Sequence, residues 1–208
     1  VRPGDQVLEP SAGTGLLAVL AEACGATVTL NEIAAGRAAL LDGLFALAPR
    51  SRQDAIHLPD VLPTSGSFHA VLTNPPFTRL EAHLLAGLQC LALGGRMAAI
   101  VPTRLFEDQA ALAQLAQYGA IRGRFAFPAQ AFAKHGTSVD TGLLADAKSL
   151  LGRSSLAPKL VDYAVGTSFL ASLVERHLAL TERDAEEIAR INEAREDATR
   201  YGMAVDLD

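Results

Sequence analysis

Asn74-Pro75-Pro76-Phe77 combines a side-chain amide, two fixed backbone angles and an aromatic ring directly after an apolar run at 68–73. An amine attached to a flat heterocycle is a poor nucleophile, because its lone pair is delocalised into the ring. Two acceptors on its two N–H bonds draw the nitrogen toward tetrahedral geometry and release that pair. Asn74 Oδ1 is one such acceptor. The Pro75 carbonyl is the other, aimed by the restricted φ angles of the two prolines. Phe77 offers a face on which a heterocycle stacks. Group transfer to such an amine needs alignment more than a strong base. Pro-Pro is also ordinary turn punctuation, so the run needs support from elsewhere in the chain.

Support comes from Glu9-Pro10-Ser11-Ala12-Gly13-Thr14-Gly15. It follows the short apolar strand Val7-Leu8 and opens a helix, and its small residues let backbone approach a ligand closely. It is neither G-x-G-x-x-G nor a P-loop with Lys followed by Ser/Thr, which points to a nucleoside-like ligand without phosphates. Backbone amides at Ser11, Ala12, Gly13, Thr14 and Gly15 suit a carboxylate, and Glu9 suits a cationic group. Glu32 stands at the end of a second strand, where two acceptor oxygens can take two ribose hydroxyls. An acid there also fits a dinucleotide, or it caps the next helix. Ile33 would cover one face of an adenine. Asp54-Ala55 would take the ring's amino group on the carboxylate and a ring nitrogen on backbone N–H.

These residues need strand ends to hold them. The spacing predicts strands at 7–8, 26–30, 68–73 and 96–101, with a weak one over 50–53. Helices are expected at 16–24, 34–47, 80–93 (closed by Gly94-Gly95) and 107–117. Residues 121–127 and 141–145 read as two late strands with no helix between them. The reading is therefore α/β, a mostly parallel sheet with helices on both faces and an antiparallel hairpin at one edge. Residues 149–158 read as a linker and residues 168–180 and 181–201 as amphipathic helices. The domain division is 1–148 and 149–208.

Half of the 208 residues are hydrophobic, and Trp is absent, so the core must be built from Leu, Ala and Val. The net charge of −5 is uneven. Residues 1–160 carry 13 Lys/Arg and 12 Asp/Glu, and residues 161–208 carry 5 and 11. The acidity belongs to the tail, and the near-neutral body argues against strong non-specific binding to nucleic acid. Cys24 and Cys90 are expected to be buried structural thiols. No His or Cys spacing suggests a metal, and no apolar run suggests a membrane span. The start Val1-Arg2-Pro3-Gly4-Asp5 reads as a cut within a longer, cytoplasmic protein.

Taken together, Glu9 to Gly15, Glu32-Ile33, Asp54 and Asn74 to Phe77 resemble the class I S-adenosylmethionine (SAM) methyltransferases that act on exocyclic amines. The aromatic residue at 77 resembles the N6-adenine DNA type. The wider string is similar to the methyltransferase part of bacterial and phage strawberry-notch-like methylase–helicase proteins. It includes Asn31-Glu32-Ile33 and residues 134–141. The likeness covers about residues 3–148. It implies a Rossmann-like fold with a seven-stranded sheet, SAM as cofactor, and DNA adenine, single-stranded or flipped, as acceptor. It also implies a helicase domain in the same polypeptide. Arg79, Lys134 and His135, with Arg104, Arg122 and Arg124, become candidate phosphate contacts. Guanine N2 in ribosomal RNA and protein glutamine remain alternative acceptors, and a non-catalytic SAM-binding module remains an alternative role. The chain departs from the pattern at Ala34, where a second acid is common, and in having no recognisable target-recognition segment.

Overall fold

The computed structural model describes residues 1–127 and 139–148. The chain divides into two compact units, Val1–Asp162 and Tyr163–Asp208, and every element described below belongs to the first. The expected linker, the two late helices, Lys134 and His135 lie outside the described residues.

Seven strands form one sheet in the order β3-β2-β1-β4-β5-β7-β6. They are β1 (Gln6–Glu9), β2 (Thr27–Asn31), β3 (Arg50–Ser51), β4 (Phe68–Thr73), β5 (Leu91–Pro102), β6 (Ala120–Ala126) and β7 (Thr141–Ala147). Strands β1 to β5 pair in parallel, and β7 runs antiparallel between β5 and β6. The sheet reverses direction of winding between β1 and β4, which opens a crevice at the strands' C-terminal ends.

Alternation along the strands feeds two cores. Val7, Val28, Leu30 and Ala70 pack with Ala18 and Ala21 of α1 (Leu16–Ala23) and Leu41 of α2 (Ala35–Leu44). Leu8, Val71, Met97 and Leu144 pack on the other face with α3 (Leu58–Val61), α4 (Leu80–Cys90) and α5 (Gln109–Leu115). This is the expected α/β layering, produced by the period-two placement of apolar residues.

Several expected boundaries change. Helix α4 stops at Cys90, and Gly94-Gly95 lies inside β5 instead of closing the helix. Leu91 already pairs with Phe68, and the register then jumps so that Ala70 faces Arg96. The Lys148 ammonium donates to the carbonyls of Gln89 (3.1 Å) and Leu91 (2.6 Å), so a distant side chain ends the helix. Helix α5 starts at Gln109 because the Asp108 carboxylate accepts from the N–H groups of Ala110 and Ala111. Two 3₁₀ turns, Ala55–His57 and Thr103–Phe106, were not expected. Cys24 is exposed where a buried thiol was expected, because it caps α1 beyond the helix's packed face. Cys90 is buried.

Among the described residues no helix is long and apolar enough to cross a membrane. No group of three His, Cys, Asp or Glu among them is placed to hold a metal ion.

Gly15 caps α1 with φ of +84°, and a Cβ there would meet the Phe45 ring and lie 2.9 Å from Leu41 Cδ2. Gly15→Ala is expected to destabilise the fold by about 2–4 kcal/mol, from positive φ plus overpacking. A denaturant titration showing wild-type stability would refute this.

Candidate active site

The C-terminal ends of β1, β2 and β3 are joined through one buried side chain. Asn31 donates through Nδ2 to the carbonyls of Pro10 (2.8 Å) and Gln53 (3.0 Å). Its Oδ1 accepts from the Ser51 hydroxyl (2.7 Å) and the Gln53 N–H (2.9 Å). The Asn31 carbonyl also accepts from the Ala12 N–H at 2.9 Å. The loop after β1, the end of β2 and the loop after β3 are therefore held at fixed separation.

Within that frame Glu32 is buried and ties the glycine turn to α2. Its Oε2 accepts from the Gly13 N–H (2.8 Å), and its Oε1 accepts from the Ala34 N–H (2.8 Å) and the Arg37 guanidinium (2.9 Å). Glu32 thus caps the helix and joins it to the glycine turn. Gly13 has φ of +57°, and nothing lies within 4 Å of the position a Cβ would take. The space there is open, as a backbone cradle for a ligand requires. Ser11 and Thr14 are half-buried and Ala12 is buried.

Glu9 is 2% exposed, and its Oε2 has no hydrogen-bond partner. Burial pushes its carboxyl well above the usual range; the Ala18 N–H opposes this and the Glu32 charge adds to it. An orphaned buried acid beside an open cradle fits a ligand carrying a cationic group.

Asp54 caps the 3₁₀ turn by accepting from the Ile56 N–H (3.2 Å), and its other oxygen pairs with Arg79 at 3.3 Å. Ala55 is buried, while Ile33 is 62% exposed at the end of β2. Arg79 is the one described non-glycine residue with positive φ, at +58°. A candidate phosphate contact from the sequence, it pairs with Asp54 in the structure. One turn along α4, His83 has a buried Nδ1 without a partner. Burial lowers its pKa, with Asp54 raising it and Arg79 lowering it.

Asn74 follows β4 and is exposed, Pro75 is buried, Pro76 is exposed and Phe77 is half-buried. Phe77 lines a cleft of about 260 Å³ with Leu80, Glu81, Arg104, Leu105 and Asp108. The candidate cofactor residues on β1, β2 and the β3 loop and the Asn74 run thus share one edge of the sheet. Arg124 donates to the Phe106 carbonyl at 2.6 Å, and Arg122 lies on β6. The contacts of Asn31, Arg37 and His83 are not announced by the sequence. A polar residue ending an apolar strand was the available signal for Asn31.

The sequence matches no protein-family model and no curated protein. Its fold has solved relatives. It is similar to TrmN from Thermus thermophilus, with 24% identity, a TM-score of 0.55, and coverage of 71% of this chain and 45% of that one. A TehB-like SAM-dependent methyltransferase from Corynebacterium glutamicum aligns at 12% identity and a TM-score of 0.55, covering 72% and 83%. The [4+2]-cyclase SpnF aligns at 13% identity and 0.56, covering 72% and 76%. The chain spans less than half the length of TrmN. These likenesses show a Rossmann-like methyltransferase fold. A methyltransferase and a cyclase share it, so the reaction must be argued from the site.

Two outcomes are expected. Asn31→Leu leaves three backbone groups and a hydroxyl without their partner and should cost about 2–4 kcal/mol in a urea titration. The fold favours the protonated form of Glu9, so it retains a proton that the unfolded chain gives up above the ordinary carboxylate range. Stability of the ligand-free protein therefore falls as pH rises from that range toward the folded-state pKa of Glu9. Asp146 is also raised, chiefly by burial, so the comparison must isolate Glu9. Urea midpoints of Glu9→Gln should fall less with pH over this window than those of wild type. Equal slopes would remove Glu9 from the account.

Proposed function

We propose that this chain transfers a methyl group from SAM to the exocyclic N6 amine of adenine in DNA. The observation that carries the reading is Asn74-Pro75-Pro76-Phe77 after β4, at the same C-terminal edge of the parallel strands as Glu9, Gly13 and Glu32. When bound, SAM supplies a methyl group on a positively charged sulfur. Glu9 and the open turn at Gly13 suit its amino-acid end, and the absence of a phosphate-binding motif agrees with a cofactor that has no phosphate.

Glu32 would receive the ribose. A carboxylate offers about four acceptor positions, and three donors already occupy it. Two hydroxyls need one of those donors to leave. Arg37, with a side chain 56% exposed, is the one free to swing into solvent. Ile33 and Asp54-Ala55 would flank the adenine of the cofactor.

Asn74 Oδ1 and the Pro75 carbonyl would accept the two amine hydrogens, and Phe77 would stack on the target base. The Asn74 amide makes no hydrogen bond with a described residue and is available for this. Alignment does the catalytic work, and no general base is required. A base in a duplex is unreachable here, so the target is flipped or single-stranded. A helicase domain in the same cytoplasmic polypeptide would deliver single strands, with residues 1–148 as the methyltransferase domain. Lys134 and His135 would contribute to the same acceptor side.

Nucleosides from single-stranded DNA, duplex DNA and RNA incubated with the protein and SAM are to be read by mass spectrometry. N6-methyladenine in DNA is expected. Asn74→Ala should lower the rate by at least about 100-fold and Phe77→Ala by about 10-fold. Full activity in Asn74→Ala would sink the mechanism, and methylation confined to RNA or to protein would sink the assignment to DNA.

A further inference from the structure

We propose that the rim running from the Phe77 cleft across the ends of β5, β7 and β6 binds the single-stranded nucleic acid flanking the target base, by stacking on Phe125 and a phosphate contact from Arg104. This rests on the reading of the Phe77 site as the place where a base is held.

Phe125 is 54% exposed near the C-terminal end of β6. Gly123, two residues before it, has no side chain, and a Cβ there would lie 2.5 Å from Phe125 Cε2. The ring therefore packs an edge into the space that Gly123 leaves, and about half of the residue's surface stays exposed. Its exposed surface offers an aromatic group on which an unstacked base can stack.

Arg104 sits on the 3₁₀ turn after β5, in the wall of the Phe77 cleft. Its guanidinium makes no hydrogen bond or ion pair with a described residue. Asp108, across the same cleft, spends its carboxylate on capping α5. Glu81 lines the cleft without a partner among the described residues and can accept from a base amino group. Arg124, reaching back to the Phe106 carbonyl, ties β6 to the turn that carries Arg104.

Three strand spacings separate β4 from β6, about 14 Å. Two aromatic residues, with a cation between them that has no partner among the described residues, match a chain of unstacked bases. A duplex offers no free base face to such a surface. Among the described residues of this rim Arg79 is paired with Asp54 and Arg124 donates to a carbonyl, which leaves Arg104 as the side chain assigned the phosphate contact. Affinity must then come mainly from stacking, with a shallow dependence on salt.

The test is fluorescence anisotropy of the full chain with a labelled single-stranded oligonucleotide and with its duplex, without SAM, across salt concentrations. The single strand is expected to bind at least fivefold tighter than the duplex. Phe125→Ala should weaken single-strand binding at least fivefold, and Phe125→Trp should retain it. Arg104→Gln should weaken it and reduce the logarithmic salt slope by about one. Phe125 and Arg104 are exposed, so wild-type melting temperatures should persist in these variants. Wild-type affinity in both Phe125→Ala and Arg104→Gln, or equal binding of the duplex, overturns the inference. Methyl transfer is read separately. Methylation with unaltered binding in the variants removes this surface alone. Binding as described without any methyl transfer removes the proposed function and leaves the surface.

Discussion

Asn31 is buried where three strand ends meet, and it spends both donors and both acceptors on groups from the loop after β1, from β3 and from the loop after β3. An amide is the one common side chain that can satisfy two carbonyls and two donors at once. The loops that line the crevice carry backbone groups with no strand partner, and without this hub those groups would be buried unpaired. The width of the crevice follows from it, because the glycine turn and the Asp54 loop are both referenced to the same side chain.

Around that hub the site stores unfavourable electrostatics. Glu9 and Glu32 are both buried, and only Glu32 has its charge answered by two backbone N–H groups and Arg37. Glu9 keeps an oxygen without a partner. A fold under selection for stability alone gains nothing from this arrangement, since a buried, partly unsatisfied acid costs folding free energy. It makes sense where a cationic ligand group completes the set. After β4, Asn74 is exposed at the end of a well-packed strand, and its amide has no partner among the described residues. The rigid scaffold and the unsatisfied edge are two consequences of one layout, with cores on both faces and polar groups gathered at the strand ends.

The same layout serves more than one chemistry, as the likeness to both a methyltransferase and a cyclase makes plain. The backbone supplies a crevice at the winding reversal. Which reaction occurs there is a matter of side chains and not of the backbone, and the proposed reading assigns it to positions 9, 32, 54, 74 and 77.

Most of the fold was legible in the sequence. Val7-Leu8, residues 68–73 and the run before Pro102 announce buried strands, and helix-period segments between them require a parallel sheet. The candidate motifs could be located because each directly follows such a strand. The sequence did not reveal where α4 ends, because Lys148 ends it from 58 residues away. Nor did it show that Arg79 pairs with Asp54, that Glu32 is shared among three donors, or that Cys24 is exposed. Periodicity records which face of an element is apolar, and that is local information. Which polar group meets which depends on the sheet order and register that bring distant residues within hydrogen-bond reach, and those are properties of the assembled fold alone.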